Sequence, residues 1–129
     1  MIMPRILLVD DEPHVVRILR LALEREGYRV DQAGDGREAL DYLQTCEPDA
    51  LITDIDMPHM TGRELCIHIH RERSECHFPI FILTSRAEVE HRDWSRELGN
   101  ISFLEKPVSM RNLIARLDEY FAAVAASQE

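Results

Sequence analysis

Five short segments of the chain predict β-strands. They are Arg5–Val9, Tyr28–Ala33, Ala50–Thr53, Phe78–Leu83 and Ile101–Leu104. Most of these runs are apolar, and they are too short for helices of ordinary length. Such runs suit strands that are buried on both faces of a parallel sheet.

The segments between the strands predict helices, because apolar residues recur there at helical spacing. The first helix begins at Glu12 and Pro13, where a proline costs no hydrogen bond, and it stops at Gly27. Further helices are expected from Asp35 onward, over 61–73, over 87–98 and over the last apolar stretch, 113–121. Strands alternating with helices five times predict a doubly wound, five-stranded parallel α/β sheet with five helices.

Two segments give weaker signals than the rest. The helix predicted over 87–98 has only Val89, Trp94 and Leu98 as large apolar residues, so we expect it to be the least firmly docked. Residues 122–129 are small or polar and are expected to form a tail. We therefore predict one domain over 1–123, with 124–129 as a C-terminal tail or the start of a linker.

Polar side chains follow the strands at the points where they end. Asp10 and Asp11 follow the first strand, Asp54 the third, Thr84 the fourth and Lys106 the fifth. Because crossovers between parallel strands are right-handed, these ends meet at one edge of the sheet, where open α/β sheets bind their ligands. After the third strand, proline and glycine break the chain into a loop.

The side chains at this edge have complementary chemistry. Crowded carboxylates repel one another unless a cation lies among them, and their hard oxygens suit Mg²⁺ (or Mn²⁺). The Thr84 hydroxyl and the Lys106 ammonium would bind the oxygens of a tetrahedral dianion. The residues therefore predict that Asp54 becomes a covalent phosphoryl ester.

Composition narrows the functional classes further. There are 24 acidic and 15 basic residues, and the formal net charge of −9 argues against direct binding to nucleic acid or to an anionic membrane. No apolar run is long enough for a membrane span. The three cysteines lack C-x-x-C spacing, which is typical of reduced thiols, so we expect a cytoplasmic location.

Four motifs together resemble the receiver domain of bacterial two-component response regulators. They are V-D-D near the start, D-I-D-M-P-H-M-T-G in the middle, T-S after the fourth strand and F-L-E-K-P after the fifth. The resemblance extends from about residue 4 to residue 123. It implies a flavodoxin-like strand order 2-1-3-4-5. It also implies that Asp54 accepts a phosphoryl group from a histidine kinase or a histidine phosphotransfer protein.

The same resemblance assigns the metal ligands. Asp11 would bind Mg²⁺ directly and Asp10 mainly through water, while Asp54 and the main-chain carbonyl of Asp56 would complete the protein ligands. Pro58 and Gly62 would shape the loop around the acceptor.

The resemblance assigns a phosphoryl-binding and switch group as well. Thr84 would follow the phosphoryl group, Phe103 would swing inward with it, and Lys106 would pair with a phosphoryl oxygen. Phosphorylation would then change binding at the face formed by the fourth helix, the fifth strand and the last helix. The partner there would be a downstream protein, a fused output domain or a second copy in a phosphorylation-dependent dimer. The domain would be a signalling switch rather than a turnover enzyme.

Two finer expectations concern the edge of the site. The Lys106–Pro107 bond is predicted to be cis, because the lysine must turn back over the site while the chain reverses into the last helix. Asp56 and Arg86 each lie two residues beyond a phosphoryl-handling residue. We therefore expect them to form an ion pair across the entrance that slows access of water and of small phosphodonors.

Two other functions fit parts of the pattern. Asp54-x-Asp56 after an apolar strand also resembles the nucleophile motif of haloacid-dehalogenase-like phosphatases, although that motif normally opens the chain. A flavin-binding electron carrier would share the fold. It would need a Ser/Thr/Gly-rich phosphate loop after the first strand, where this chain has two aspartates.

Overall fold

Five parallel strands form a single sheet with the order β2-β1-β3-β4-β5, as predicted. The computed structural model describes residues 3–72, 77–85, 92–95 and 99–127. The strands are β1 (Arg5–Val9), β2 (Arg29–Ala33), β3 (Ala50–Asp54), β4 (Ile80–Thr84) and β5 (Ile101–Glu105). The doubly wound architecture with the flavodoxin-like strand order is therefore confirmed.

The central strand β3 is buried along its whole length, which explains its apolar sequence. Thr53 pairs with Val9 of β1, and Asp54 pairs with Leu83 of β4. This register brings the carboxyl ends of β1, β3 and β4 to the same edge of the sheet. Asp54, the last residue of β3, lies in the middle of that edge.

Four α-helices surround the sheet in the described part of the chain. The first helix is Pro13–Arg25, the second Gly36–Thr45, the third Gly62–Glu72 and the last Met110–Ser127. Within these described residues, no helix is long and apolar enough to cross a membrane.

Local side chains fix where two of these helices begin. Asp35 accepts a hydrogen bond from the main-chain N–H of Glu38 at 2.9 Å. Thr61 and Glu64 form a capping box, in which the Thr61 hydroxyl accepts from the Glu64 N–H at 3.1 Å and the Glu64 carboxylate accepts from the Thr61 N–H at 3.3 Å. The third helix therefore starts at a defined distance from the loop that follows Asp54.

Two apolar cores lie on the two faces of the sheet. On one face the second and third helices pack against the strands, with Leu65 and Ile69 fully or almost fully buried against residues such as Ile82. On the other face the first and last helices do the same, with Leu23 and Leu117 fully buried. The apolar side chains of β1, β3 and β4 are therefore buried on both faces, whereas those of β5 are only partly buried.

The structure differs from the sequence-based expectation in two helical segments. The helix predicted over 87–98 lies mostly outside the described residues, and the part that is described, Arg92–Ser95, is a 3-10 helix. The last helix continues to Ser127, beyond the stretch 113–121 that the sequence predicts as helical. Alanine is the best helix former, which explains why this alanine-rich stretch extends the helix.

Asn100 connects three elements on the face of the third helix. Its main chain is left-handed, with φ at 47°, a conformation that asparagine tolerates better than most residues. Its side-chain amide donates to the carbonyl of Phe78, and its side-chain oxygen lies 3.1 Å from Nε2 of His70 at the end of the third helix. No pattern in the sequence indicates this role.

Asn100→Gly is expected to lower the free energy of unfolding by about 2 kcal/mol, because two hydrogen bonds of about 1 kcal/mol each are lost. Glycine accepts the left-handed conformation, so backbone strain does not contribute. His59→Gly is the matched control, since His59 is also left-handed, with φ at 69°, and also exposed, but its side chain makes no hydrogen bond within the described residues. Urea unfolding of both variants measures the difference, and equal midpoints for the two would contradict the assignment.

Candidate functional site

Three carboxylates meet at the carboxyl edge of the sheet. Oxygens of Asp10, Asp11 and Asp54 all lie within 4.8 Å of one another. Asp10 and Asp54 are only 3% and 4% exposed, whereas Asp11 is exposed to solvent. The sequence-based prediction that these ends of β1 and β3 converge is borne out by the geometry.

The surroundings of the Asp10 carboxyl disfavour its negative charge. Burial raises the pKa of the Asp10 carboxyl, and the nearby charges of Asp54 and Asp11 raise it further. The N–H of Glu12, which donates to Asp10 Oδ1 at 2.9 Å, and the charge of Lys106 act in the opposite direction. A raised carboxyl pKa means that the ionised form of Asp10 is unfavourable in the folded domain.

Lys106 supplies the positive charge at this edge. Its Nζ donates to Asp54 Oδ1 at 2.7 Å, and 41% of the lysine side chain is exposed. Partial burial lowers the pKa of Lys106, but the hydrogen bond to Asp54 and the charges of Asp54, Asp10 and Asp56 outweigh it, so the pKa is raised overall. The lysine is therefore a charged donor beside a buried carboxylate.

The loop after β3 fixes the Asp54 carboxylate from the other side. The N–H of Asp56 donates to the same Oδ1 at 3.3 Å. Among the described residues, both hydrogen bonds to this carboxylate reach Oδ1. Oδ1 is thus anchored twice, while Oδ2 accepts no hydrogen bond within the described residues.

The ends of β4 and β5 complete the site. Thr84 is fully buried, and its hydroxyl donates to the carbonyl of Ser85 at 3.2 Å. Phe103 on β5 is half-buried, and its ring meets the ring of Trp94 edge-to-face with centroids 6.0 Å apart. The Lys106–Pro107 peptide is cis, as predicted.

A model of the response regulator receiver domain matches residues 6–118. The chain belongs to this family. The response regulator MprA of Mycolicibacterium vanbaalenii is 39% identical to it over 113 residues, which are 88% of this chain and 48% of the relative. The transcriptional regulatory protein PhoP of Bacillus subtilis, named for alkaline phosphatase synthesis, is 38% identical over 88% of this chain and 46% of its own length. The receiver chain thus spans about half the length of these curated relatives.

Solved structures give the same result. The chemotaxis protein CheY4 of Vibrio cholerae superposes with a TM-score of 0.82 and 31% identity, over 92% of this chain and 98% of that chain. The response regulator TrrA of Thermotoga maritima, solved in complex with Mg²⁺-BeF, gives a TM-score of 0.78 and 30% identity over 91% and 98% of the two chains. These matches favour a two-component receiver over the phosphatase and flavin-carrier alternatives.

The receiver fold brings together most of the residues that the sequence singled out. Asp10, Asp11, Asp54 and Lys106 form one cluster, and Asp56 lies exposed beside it. Arg86 lies outside the described residues, so the ion pair predicted with Asp56 stays a prediction. The carboxylates whose oxygens lie within 4.8 Å of one another are those of Asp10, Asp11 and Asp54. Asp56 is expected to contribute its main-chain carbonyl.

Sequence reasoning missed two features of the receiver site. Lys106 is the only lysine in the 129 residues, and all other basic side chains apart from histidine are arginines. A simple count would have found it. Trp94 contacts Phe103, whereas the sequence left the role of Trp94 open.

Gly62 has a steric role that exceeds its expected function as a loop residue. A Cβ atom at this position would lie 2.5 Å from the carbonyl oxygen of Asp54 and 2.9 Å from Cα of Ile55. The N–H of Gly62 also donates to the carbonyl of Ile55 at 2.8 Å. The third helix therefore begins in direct contact with the end of β3, and only glycine fits there.

Gly62→Ala is expected to lower the free energy of unfolding by about 2 kcal/mol, since overpacking against main chain forces a backbone shift. Denaturant unfolding measures this effect. Gly34→Ala is the matched control, because its Cβ would meet only the flexible end of Glu38, at 2.8 Å. Losses of stability that are the same in both variants would show that the Asp54 contact is unimportant.

Proposed function

We propose that this receiver domain takes a phosphoryl group from a histidine kinase or a histidine phosphotransfer protein onto Asp54. The observation that carries the proposal is the 2.7 Å hydrogen bond between Lys106 Nζ and Asp54 Oδ1, next to a cluster of three carboxylates. A buried carboxylate with a charged lysine and further acids around it suits phosphoryl transfer better than a purely structural role.

The reaction follows from the placement of these groups. An oxygen of Asp54 attacks the phosphorus of phosphohistidine and forms an O–P bond. The N–P bond breaks, and its electron pair returns to the imidazole nitrogen. Lys106 holds one Asp54 oxygen before the reaction and donates to the charged oxygens that appear during it. The Thr84 hydroxyl, fully buried at the end of β4, becomes a second donor once it leaves the Ser85 carbonyl.

The donor set fits a divalent cation such as Mg²⁺ or Mn²⁺. Hard carboxylate oxygens are the preferred ligands of Mg²⁺, and three of them lie within 4.8 Å of one another. Asp10, Asp11 and Asp54 would hold the ion together with the main-chain carbonyl of Asp56. When bound, Mg²⁺ supplies positive charge to the phosphoryl oxygens. The TrrA structure in complex with Mg²⁺-BeF supports this assignment by similarity.

The output is a change in partner binding rather than turnover of a substrate. Response regulators are signalling proteins, and the chain matches about half the length of relatives such as PhoP, whose name describes a transcriptional regulator. We infer that the phosphorylated domain acts on a downstream protein, a fused output domain or a second copy. The surface would be formed by the predicted helix over 87–98, β5 and the last helix.

Stoichiometric labelling tests the proposal. Phosphoramidate, an N–P phosphodonor, with Mg²⁺ is expected to add one phosphoryl group per chain, seen as a single mass increase in intact-protein mass spectrometry. Asp54→Asn should remain unlabelled, while Asp41→Asn on the exposed surface of the second helix should be labelled like wild type. Sustained release of phosphate from simple monoesters, or labelling that survives in Asp54→Asn, would contradict it.

A further inference from the structure

Three side chains from separate elements form a cluster beside the acceptor site. The edge-to-face pair of Trp94 and Phe103 has its ring planes at 81°. Cζ of Arg63 lies over the Trp94 ring, 5.9 Å from its centroid, a distance that allows a cation–π contact. Arg63 belongs to the third helix, Trp94 to the 3-10 turn and Phe103 to β5. We refer to these three residues as the Trp94 cluster.

The Trp94 cluster is joined directly to the acceptor strand. Arg63 follows Gly62, whose backbone is packed against Asp54 and bonded to the carbonyl of Ile55. Arg63 and Trp94 also line a cavity of about 490 Å³ that includes Asp56 in its wall. The base of the cluster therefore lies against the loop that follows Asp54.

The cluster is also joined to the end of β4. Phe103 of β5 pairs with Ile82 of β4, and Thr84 lies two residues after Ile82 on β4. Because side chains alternate along a strand, Thr84 and Ile82 project from the same face, the face on which Phe103 and Trp94 pack. A Thr84 side chain that turns from the Ser85 carbonyl to a phosphoryl oxygen changes the space next to Phe103.

We propose that Trp94 is a positioning residue that holds Phe103 in its half-buried place in the unphosphorylated domain. The edge-to-face contact and the arginine stacked on the indole stabilise this one arrangement. Phosphorylation must overcome these two contacts in order to move Phe103. A ligand shifts an equilibrium only by its difference in affinity for the two states, here with Phe103 held by Trp94 or released from it. The inference rests on the proposed function, since it concerns the response of the same site.

Calorimetric titration with beryllofluoride in Mg²⁺ tests the inference without turnover. Trp94→Leu removes the edge-to-face contact, so it is expected to tighten beryllofluoride binding about fivefold. Trp94→Phe keeps an aromatic edge against Phe103 and should bind within about twofold of wild type. A purely structural role would lower the unfolding midpoint of Trp94→Leu and leave the affinity unchanged.

Two further variants separate coupling from general destabilisation. Tyr120→Leu removes another edge-to-face pair, with Phe121 at 5.2 Å on the last helix, and should leave the affinity as in wild type. In a Phe103→Leu background, Trp94→Leu should no longer change the affinity, because its partner is gone. Since Trp94 is the only tryptophan of the chain, wild-type fluorescence should change on binding and report the cluster directly.

The possible results separate a failure of the positioning role of Trp94 from a failure of the proposed phosphoacceptor function. Tighter binding in Trp94→Leu that disappears without Phe103 supports the positioning role. Binding in wild type that Trp94→Leu leaves within twofold overturns that role and leaves the proposed phosphoacceptor intact. Wild-type protein that neither binds beryllofluoride nor is labelled at Asp54 overturns the proposed function and the inference together.

Discussion

Lys106→Met is expected to slow phosphorylation of Asp54 by about 10²–10³-fold, the usual cost of removing one preorganised donor to a developing anion. Lys106 Nζ is 2.7 Å from the acceptor carboxylate, whereas the neighbouring side chains Asp10 and Asp11 repel an anionic phosphodonor. Methionine keeps the length and apolar stem of lysine and removes the charge. The rate is measured as single-turnover labelling by phosphoramidate in Mg²⁺.

The controls for Lys106 separate local charge from net charge and from folding. Arg116→Met removes an exposed cation from the last helix and should leave the labelling rate within about twofold of wild type. Lys106→Arg retains the charge with a different donor geometry, so it should lie between wild type and Lys106→Met. Circular dichroism confirms the folded fraction, because Asp54 is buried and loses its partner in Lys106→Met. A Lys106→Met rate within threefold of wild type would refute the role.

The strand ends could be predicted from the sequence because they follow from topology. Once five short strands alternate with helices, the right-handed crossovers place every carboxyl end at one edge. Asp10, Asp54 and Thr84 were therefore expected at the same edge of the sheet, whatever the details of side-chain packing. Their burial in the structure agrees with this, since each is at most 4% exposed.

Side-chain partners across elements could not be predicted in the same way. Nothing in local periodicity indicates that Trp94 lies against Phe103, because that contact depends on how a turn and an edge strand pack in three dimensions. Asn100 is similar, since its bonds to His70 and Phe78 span 30 and 22 residues. The end of the last helix was mispredicted for another reason: the alanines were interpreted as a tail although they favour helix.

Mg²⁺ is expected to stabilise the wild-type domain by about 2.7 kcal/mol at a concentration a hundredfold above its Kd. The physical reason is the crowding of Asp10, Asp11 and Asp54 within 4.8 Å, with Lys106 as the positive side chain that contacts Asp54. Burial, and after it the neighbouring charges of Asp54 and Asp11, raise the pKa of Asp10, so its ionised form is unfavourable in the folded domain. Thermal unfolding with and without Mg²⁺ measures the effect.

The matched variants decide whether the stabilisation belongs to this cluster. Asp11→Asn removes the exposed carboxylate of the three, so it should stabilise the metal-free domain and reduce the Mg²⁺ effect to below about 1 kcal/mol. Asp41→Asn removes the same charge from the exposed surface of the second helix and should preserve the full effect. Because the chain carries a net charge of −9, NaCl at equal ionic strength must accompany each melt to account for screening. If NaCl raised the wild-type midpoint as much as Mg²⁺ does, the cation would act by screening alone, and the three aspartates would not form a metal site.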